Sequence, residues 1–463
     1  SLGRARAARK VDGEVVDCGK TMPARLFNHA WETVQEQKAR GFRKDVSRLI
    51  LKLSDILAAD FARSEAGRSA DRLKAAVGPV YEEVFDFKVM SRLLGKAPAQ
   101  APLPKSRRQR IQELLNTLKS QRFFPAPGGS AEGGNGTEPY SFIFTSCAGA
   151  LKAFGERLPK VIELARAIAI AELEIEGQYN PAKHDAVFED FGANGLDPQS
   201  LARFPNYLVH VNAAGLSPAE QVTLMEMLAA GLPVKVLVQT DDLLEKSPLG
   251  AGRLTAGIRG RQFADLAIGL NDVFVLQSSG SHLFQFRDRI LTGMAYPGAA
   301  LFSVFSGASG NSGDLPPYLI AAAAMESRAF PAFTYDPSAG LDWASRFCLE
   351  VNPQVELDWP VQRFAYEDED HQRITEDLAF TLVDFVACDQ RYAKHFARVP
   401  QVNGESNLIP VSECLTRDAE GLPEQVPCLL LVDGDNVLQK AIVDDKLIRE
   451  ARRCREMWRS LQE

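Results

Sequence analysis

The middle of this 463-residue sequence predicts a doubly wound α/β fold with a mostly parallel sheet. Short apolar runs alternate with helical patterns from about residue 205 onward. The runs are apolar without a break, as strands covered on both faces are. Hydrophobic content of 45% and charged content of 24% describe an ordinary globular chain with ample core.

The elements follow in order. "YLVHV" (207–211) reads as a strand. Ser217 is placed to cap the next helix and Pro218 suits its first turn, so 218–231 reads as a helix with Gly231 at its end. Residues 234–239 form a second strand, 260–270 a helix, 272–277 a strand and 281–294 a helix. Residues 299–306 form a further strand and 316–329 a helix.

Upstream, residues 1–95 read as helical. Val46, Leu49, Ile50, Leu53, Ile56, Leu57 and Phe61 recur at helical spacing among basic residues, as in a helix packed on its own domain. Segment 96–110 is Pro-rich and then basic, 111–124 is a short helix, and 125–139 is a Gly/Pro/Ser linker. A long helix is expected from Pro159 to Glu176. Near the end, 428–443 reads as two strands around an Asp-Gly turn. Leu447, Ala451, Cys454, Trp458 and Leu461 mark an amphipathic helix after it. The resulting plan is a basic helical region (1–124), a linker (125–139), an α/β domain with a helical insert (140–360) and a C-terminal α+β extension with a small hairpin plus helix (361–463).

Charge is uneven. Residues 1–125 hold 25 Lys+Arg against 14 Asp+Glu, a balance of +11 within a chain of net charge −7. A basic arm can meet an acidic partner or nucleic acid, but it lacks RNA-binding aromatics and zinc-finger spacing, so nucleic acid is disfavoured. The seven Cys include no Cys-x-x-Cys pair, which disfavours a disulfide framework and a local zinc or iron–sulfur motif. No apolar run approaches the ~20 residues of a membrane span. With no signal-peptide pattern at the start, a cytoplasmic location is expected. The sequence opens on Ser1 and is read as a fragment or trimmed product.

Segment 185–360 resembles the thiamine diphosphate-binding domain of pyruvate:ferredoxin oxidoreductases. The matching residues are Val234–Val238, Val273–Val275, Tyr296–Leu301 and Tyr335–Pro337, in the family's order, with "VFEDFGANG" (187–195) fainter upstream. The resemblance implies a sheet of the thiamine-diphosphate-binding type. It also implies a Gly-Asp-Gly turn and a later Ser-Asn-Thr-Gly-Gly loop whose side chains hold Mg²⁺ on the diphosphate, an ion that requires oxygen ligands. Here the metal-binding Asp falls on Ala213 and the loop Asn on Lys246, neither of which offers a ligand oxygen. Asp241 and Asp242, or Ser306, Ser309 and Asn311 of the 306–314 loop, are the substitutes at hand.

Other polar clusters read more plainly. "SGASGNSGDLPP" (306–317) is a Gly/Ser connecting loop without the Lys of a P-loop. "YEDEDH" (366–371) places acids where they favour the N-terminus of a helix over 372–387, and Asp368, Asp370 and His371 are a minor metal candidate. "DGDN" (433–436) is a turn rather than a calcium loop. Thr145-Ser146-Cys147 offers a nucleophile without an assignable base.

The expected function is a cofactor-free structural or docking domain of a pyruvate:ferredoxin oxidoreductase-like redox assembly. Its partners would be other domains or subunits, and a homo-oligomer is expected by resemblance. No cofactor is expected on this chain, and iron–sulfur clusters would lie on an upstream region or a partner. The alternative is an active 2-oxoacid oxidoreductase component holding thiamine diphosphate and Mg²⁺ in a rearranged site. A third expectation is a binding protein that meets an acidic or nucleic-acid partner through residues 1–125.

Overall fold

The computed structural model describes residues 15–77, 85–96, 102–125, 139–192, 196, 198–244, 258–313, 315–367, 371–399, 407–416 and 425–463. Two compact units emerge. One comprises Ser1–Val34, Phe142–Leu151 and Asn206–Glu463; the other comprises Gln35–Ser141 and Lys152–Pro205.

The first unit is mixed α/β and built on a seven-stranded sheet. Its strands are β1 (Ile143–Phe144), β2 (Tyr207–Asn212), β3 (Val234–Thr240), β4 (Phe274–Ser279), β5 (Ala300–Phe305), β6 (Phe333–Tyr335) and β7 (Phe347–Cys348). They lie in the order β1-β2-β3-β5-β4-β6-β7. Strands β1 to β5 pair in parallel, and β6 pairs antiparallel with β4. Every residue of β3, β4 and β5 is buried, which is why apolar residues dominate these runs; the polar exceptions include Lys235, Gln277 and Ser303.

Both faces are covered. Leu237, Leu276 and Phe302 join Phe27, Ile290 and Met294 in one core. Phe305, three residues after Phe302 and so on the opposite face, packs with Ile320, Leu382 and Phe385 in another. Lys235 of β3 is fully buried, with its ammonium donating to the carbonyls of Tyr296 and Gly298 at 2.6 Å each.

The structure shifts several boundaries. The long helix runs Cys147–Ile175 with Pro159 inside it, rather than starting there. The helix after β4 is Arg287–Ala295, because 280–286 is spent in turns. The helix expected over 372–387 is replaced by a hairpin, β8 (Val361–Glu367) with β9 (Arg373–Ala379), and a short helix Leu382–Ala387. The C-terminal hairpin belongs to a four-stranded sheet of β10 (Phe396–Arg398), β11 (Leu408–Pro410), β12 (Val426–Val432) and β13 (Leu438–Val443). The helix Asp445–Gln462 follows, burying Leu447, Ala451, Cys454 and Trp458. Asp433 closes the β12–β13 turn by accepting from the N–H groups of Asp435 and Val437.

The second unit is helical. Val46, Leu49 and Leu53 are buried there, Ile50, Ile56 and Leu57 half-buried, and Phe61 exposed. Its basic stretch is taken up internally. Arg107 and Arg110 donate to buried Glu174 at 2.8 and 2.7 Å, and Arg108 donates to Asp60 at 2.6 Å. Among the described residues, no helix is long and apolar enough to cross a membrane.

Candidate functional site

In a parallel sheet, ligands are met at the carboxyl ends of the strands, where backbone ends and loop side chains converge. Here β2 ends at Asn212, β3 at Thr240, β4 at Ser279 and β5 at Phe305. The polar residues singled out in the sequence gather around these ends.

After β2 the chain makes a single 3-10 turn, Ala213–Gly215, and then the helix Pro218–Ala229. Asn212 caps the turn, its Oδ1 accepting from Ala214 N–H at 3.1 Å. Ser217 caps the helix through Glu220 N–H at 3.2 Å, as its position before Pro218 predicts. Ala213 is buried and offers no side-chain oxygen.

Asp241 follows β3. Its Oδ1 accepts from Ser306 Oγ at 2.6 Å and Gln239 Nε2 at 2.7 Å. Its Oδ2 accepts from Asn212 Nδ2 at 2.8 Å and pairs with the Lys20 ammonium at 3.1 Å. A carboxylate has about four acceptor positions, and the chain itself fills all of them here. Burial alone would raise this carboxyl, but the bonds from Ser306, Gln239, Lys20 and Asn212 outweigh it and hold Asp241 below the usual range.

Asp242 is saturated in the same way. Arg391 donates Nη1 to Oδ2 at 2.7 Å and Nη2 to Oδ1 at 2.9 Å, a two-pronged pair. Leu244 N–H gives Oδ1 a further bond at 2.9 Å, and Asn311 Nδ2 lies 3.4 Å from Oδ2. Arg391 also holds buried Asp389, with Nη2 donating at 2.6 Å and Nε at 3.0 Å. Asp242 and Asp389 also line a small recess together with Leu244, Phe305, Ser309 and Phe385.

Asp241, Asp242, Ser306, Ser309 and Asn311 thus gather beyond the carboxyl ends of the adjacent strands β3 and β5. Ser309 Oγ serves as acceptor for Asn311 N–H at 3.3 Å. Gly307 takes a φ of 70° and packs so tightly that a Cβ there would meet the Pro317 carbonyl at 2.4 Å. Lys246, Asp368 and Asp370 lie outside the described residues. His371 has a φ of 58°. Among the described residues no group of three His, Cys, Asp or Glu is placed to hold a metal ion.

Two further features bear on chemistry. Cys147 starts its helix buried, its N–H bonded to Glu220 Oε2 at 2.8 Å. Burial, then the Glu220 carboxylate, pushes its thiol up to about 12, which disarms it as a nucleophile. Sequence reasoning missed a Ser–His contact after β4, where Ser281 Oγ lies 2.7 Å from His282 Nδ1 and 2.8 Å from Ser279 Oγ. Burial lowers the His282 imidazole, favouring its neutral form, which can accept the Ser281 proton. The run "SSGSH" (278–282) directly after a strand was the available signal.

No family model and no curated protein sequence matches this chain. The reading of the site therefore rests on its own donors and acceptors.

Proposed function

We propose that this chain is a cofactor-free structural or docking component of a pyruvate:ferredoxin oxidoreductase-like assembly. The carrying observation is the saturation of Asp241 and Asp242. Mg²⁺ bound to a diphosphate needs open oxygen ligands. The oxygens of both carboxylates are engaged by donors of the chain, two of which, Lys20 and Arg391, already supply the neutralising positive charge. Ala213 contributes no side-chain oxygen. These residues do not fit thiamine diphosphate with Mg²⁺, so no step of 2-oxoacid chemistry is derived through it.

A second reading is favoured by the convergence itself. Asp241, Asp242, Ser306, Ser309 and Asn311 lie beyond the carboxyl ends of β3 and β5, where a rearranged site would draw its ligands. Calorimetric titration of the purified chain with thiamine diphosphate, with and without Mg²⁺, separates the two. The first reading expects no heat from the natural chain and a Mg²⁺-dependent signal from the Ala213→Asp, Lys246→Asn double variant. Micromolar Mg²⁺-dependent binding by the natural chain overturns it in favour of the second.

A further inference from the structure

Strands β8 and β9 pair with each other and, among the described residues, with no other strand. A two-stranded hairpin alone is marginal in water, and its open edges invite another strand. The direction of the edge groups follows from the pairing. Pro360 carbonyl accepts from Phe380 N–H at 2.9 Å, so that pair is bonded across the hairpin. The next residue, Val361, directs its N–H and carbonyl away from β9, where Gln354 takes them at 2.6 and 3.0 Å. Antiparallel pairs alternate, so Arg363, Ala365 and Glu367 also direct their N–H and carbonyl groups to the outer edge of β8.

We propose that this edge joins two copies of the chain, β8 running antiparallel to the partner's β8 about a two-fold axis at Ala365. The inference stands independently of the cofactor reading. In this register Ala365 exchanges backbone bonds with the partner's Ala365, and Arg363 with the partner's Glu367, once on each side of the axis. On one face the charges then alternate across four strands: Asp377, Arg363, the partner's Glu367, the partner's Arg373. The hairpin already sets this pattern, with Arg363 facing Asp377 at 3.8 Å and Glu367 facing Arg373. On the other face Phe364 meets the partner's Tyr366, extending an apolar row that begins with Ile374 beside Tyr366. Aromatic and opposite-charge pairs directly across strands are the stabilising ones.

Other registers fit less well. An axis at Phe364 would need the backbone of Val361, which Gln354 occupies. An axis at Arg363 would set the two guanidinium groups against each other. An axis on β9 at Thr375 would oppose Ile374 with the partner's Glu376, an apolar group against a carboxylate.

The test is the mass of the intact chain in solution by sedimentation or light scattering, at tens of micromolar. The natural chain should be a dimer. Arg363→Glu alone sets a carboxylate against the partner's Glu367 on both sides of the axis, and Glu367→Arg alone places two guanidinium pairs together. Each should dissociate about tenfold or more readily. An equimolar mixture of the two variants restores both opposite-charge pairs and should return to a dimer, which misfolded variants would not do. Ala365→Pro removes only an outward N–H, so it should leave the far-UV circular dichroism of the folded chain unchanged and give a monomer. A monomeric natural chain, single variants that remain dimeric, or a mixture that stays monomeric would overturn the proposal. So would a dimer disrupted by Arg373→Glu but not by Arg363→Glu.

Discussion

Arg391 clasps Asp242 with two nitrogens, at 2.7 and 2.9 Å, and holds Asp389 with the same guanidinium. One cation thus balances two carboxylates, one from just after β3 and one from the segment after Leu382–Ala387. Removing the cation costs more than removing either anion, because it leaves two negative groups side by side. Arg391→Met should destabilise the chain by about 2 kcal/mol, discounted from the 3–5 of a fully buried pair for partial exposure. Asp242→Asn should cost less, since Arg391 keeps Asp389. Urea unfolding of the two variants checks the order.

Lys235 places a charge within an otherwise apolar strand, satisfied by two carbonyls at 2.6 Å. Lys235→Met keeps the volume and orphans both acceptors. A loss of about 2 kcal/mol or more is expected, at ~1–3 kcal/mol for each buried unsatisfied group. An unchanged unfolding midpoint would show that the carbonyls find other donors.

Asp384 closes a capping box with Thr381, whose N–H and hydroxyl both bond its Oδ2 at 2.7 Å. Burial pushes this carboxyl up to about 6 from 3.8. The folded state therefore holds the proton more tightly than the unfolded state. The stabilisation is fully present below pH 3.8 and is lost as pH rises through about 6. The change is on the order of 3 kcal/mol. Asp384→Asn should flatten this part of the stability–pH curve, measured by chemical denaturation between those limits.

Cys147 should resist thiol reagents at pH 8, where exposed Cys18 reacts. Mass spectrometry after brief labelling identifies the modified residue. Glu220→Ala removes the carboxylate that bonds the Cys147 N–H, and should cost about 1 kcal/mol as loss of a cap.

The parallel strands were legible because burial on both faces favours apolar residues along their length, and 207–211, 234–239 and 299–306 are mostly apolar despite His210, Lys235, Gln239 and Ser303. Lys235 did not disguise its strand, since its neighbours are all apolar. The β8–β9 hairpin was not legible. Arg363, Glu367, Arg373 and Asp377 share its charged face, and the acids of 366–371 imitate a helix start. Pro159 misled in the opposite sense, since proline inside a helix looks like its beginning.

The site was half legible. The resemblance singled out Asp241, Asp242 and Ser306 as substitute ligands, but no local pattern could supply their cations. Arg391 lies 149 residues from Asp242, and the backbone of Lys20 meets Gln239 across 219 residues. Saturation of a carboxylate is a property of tertiary structure alone.

The first core has a consequence in time. The ring of Phe27 rests 4.9 Å from that of Phe302, its partner in the covered face of the sheet. During synthesis at roughly 5–20 residues per second, Phe27, Ala30 and Val34 emerge tens of seconds before the strands that cover them. Through that interval the nascent chain carries an unmet apolar stripe. That stripe needs shelter during translation that the finished fold supplies only later.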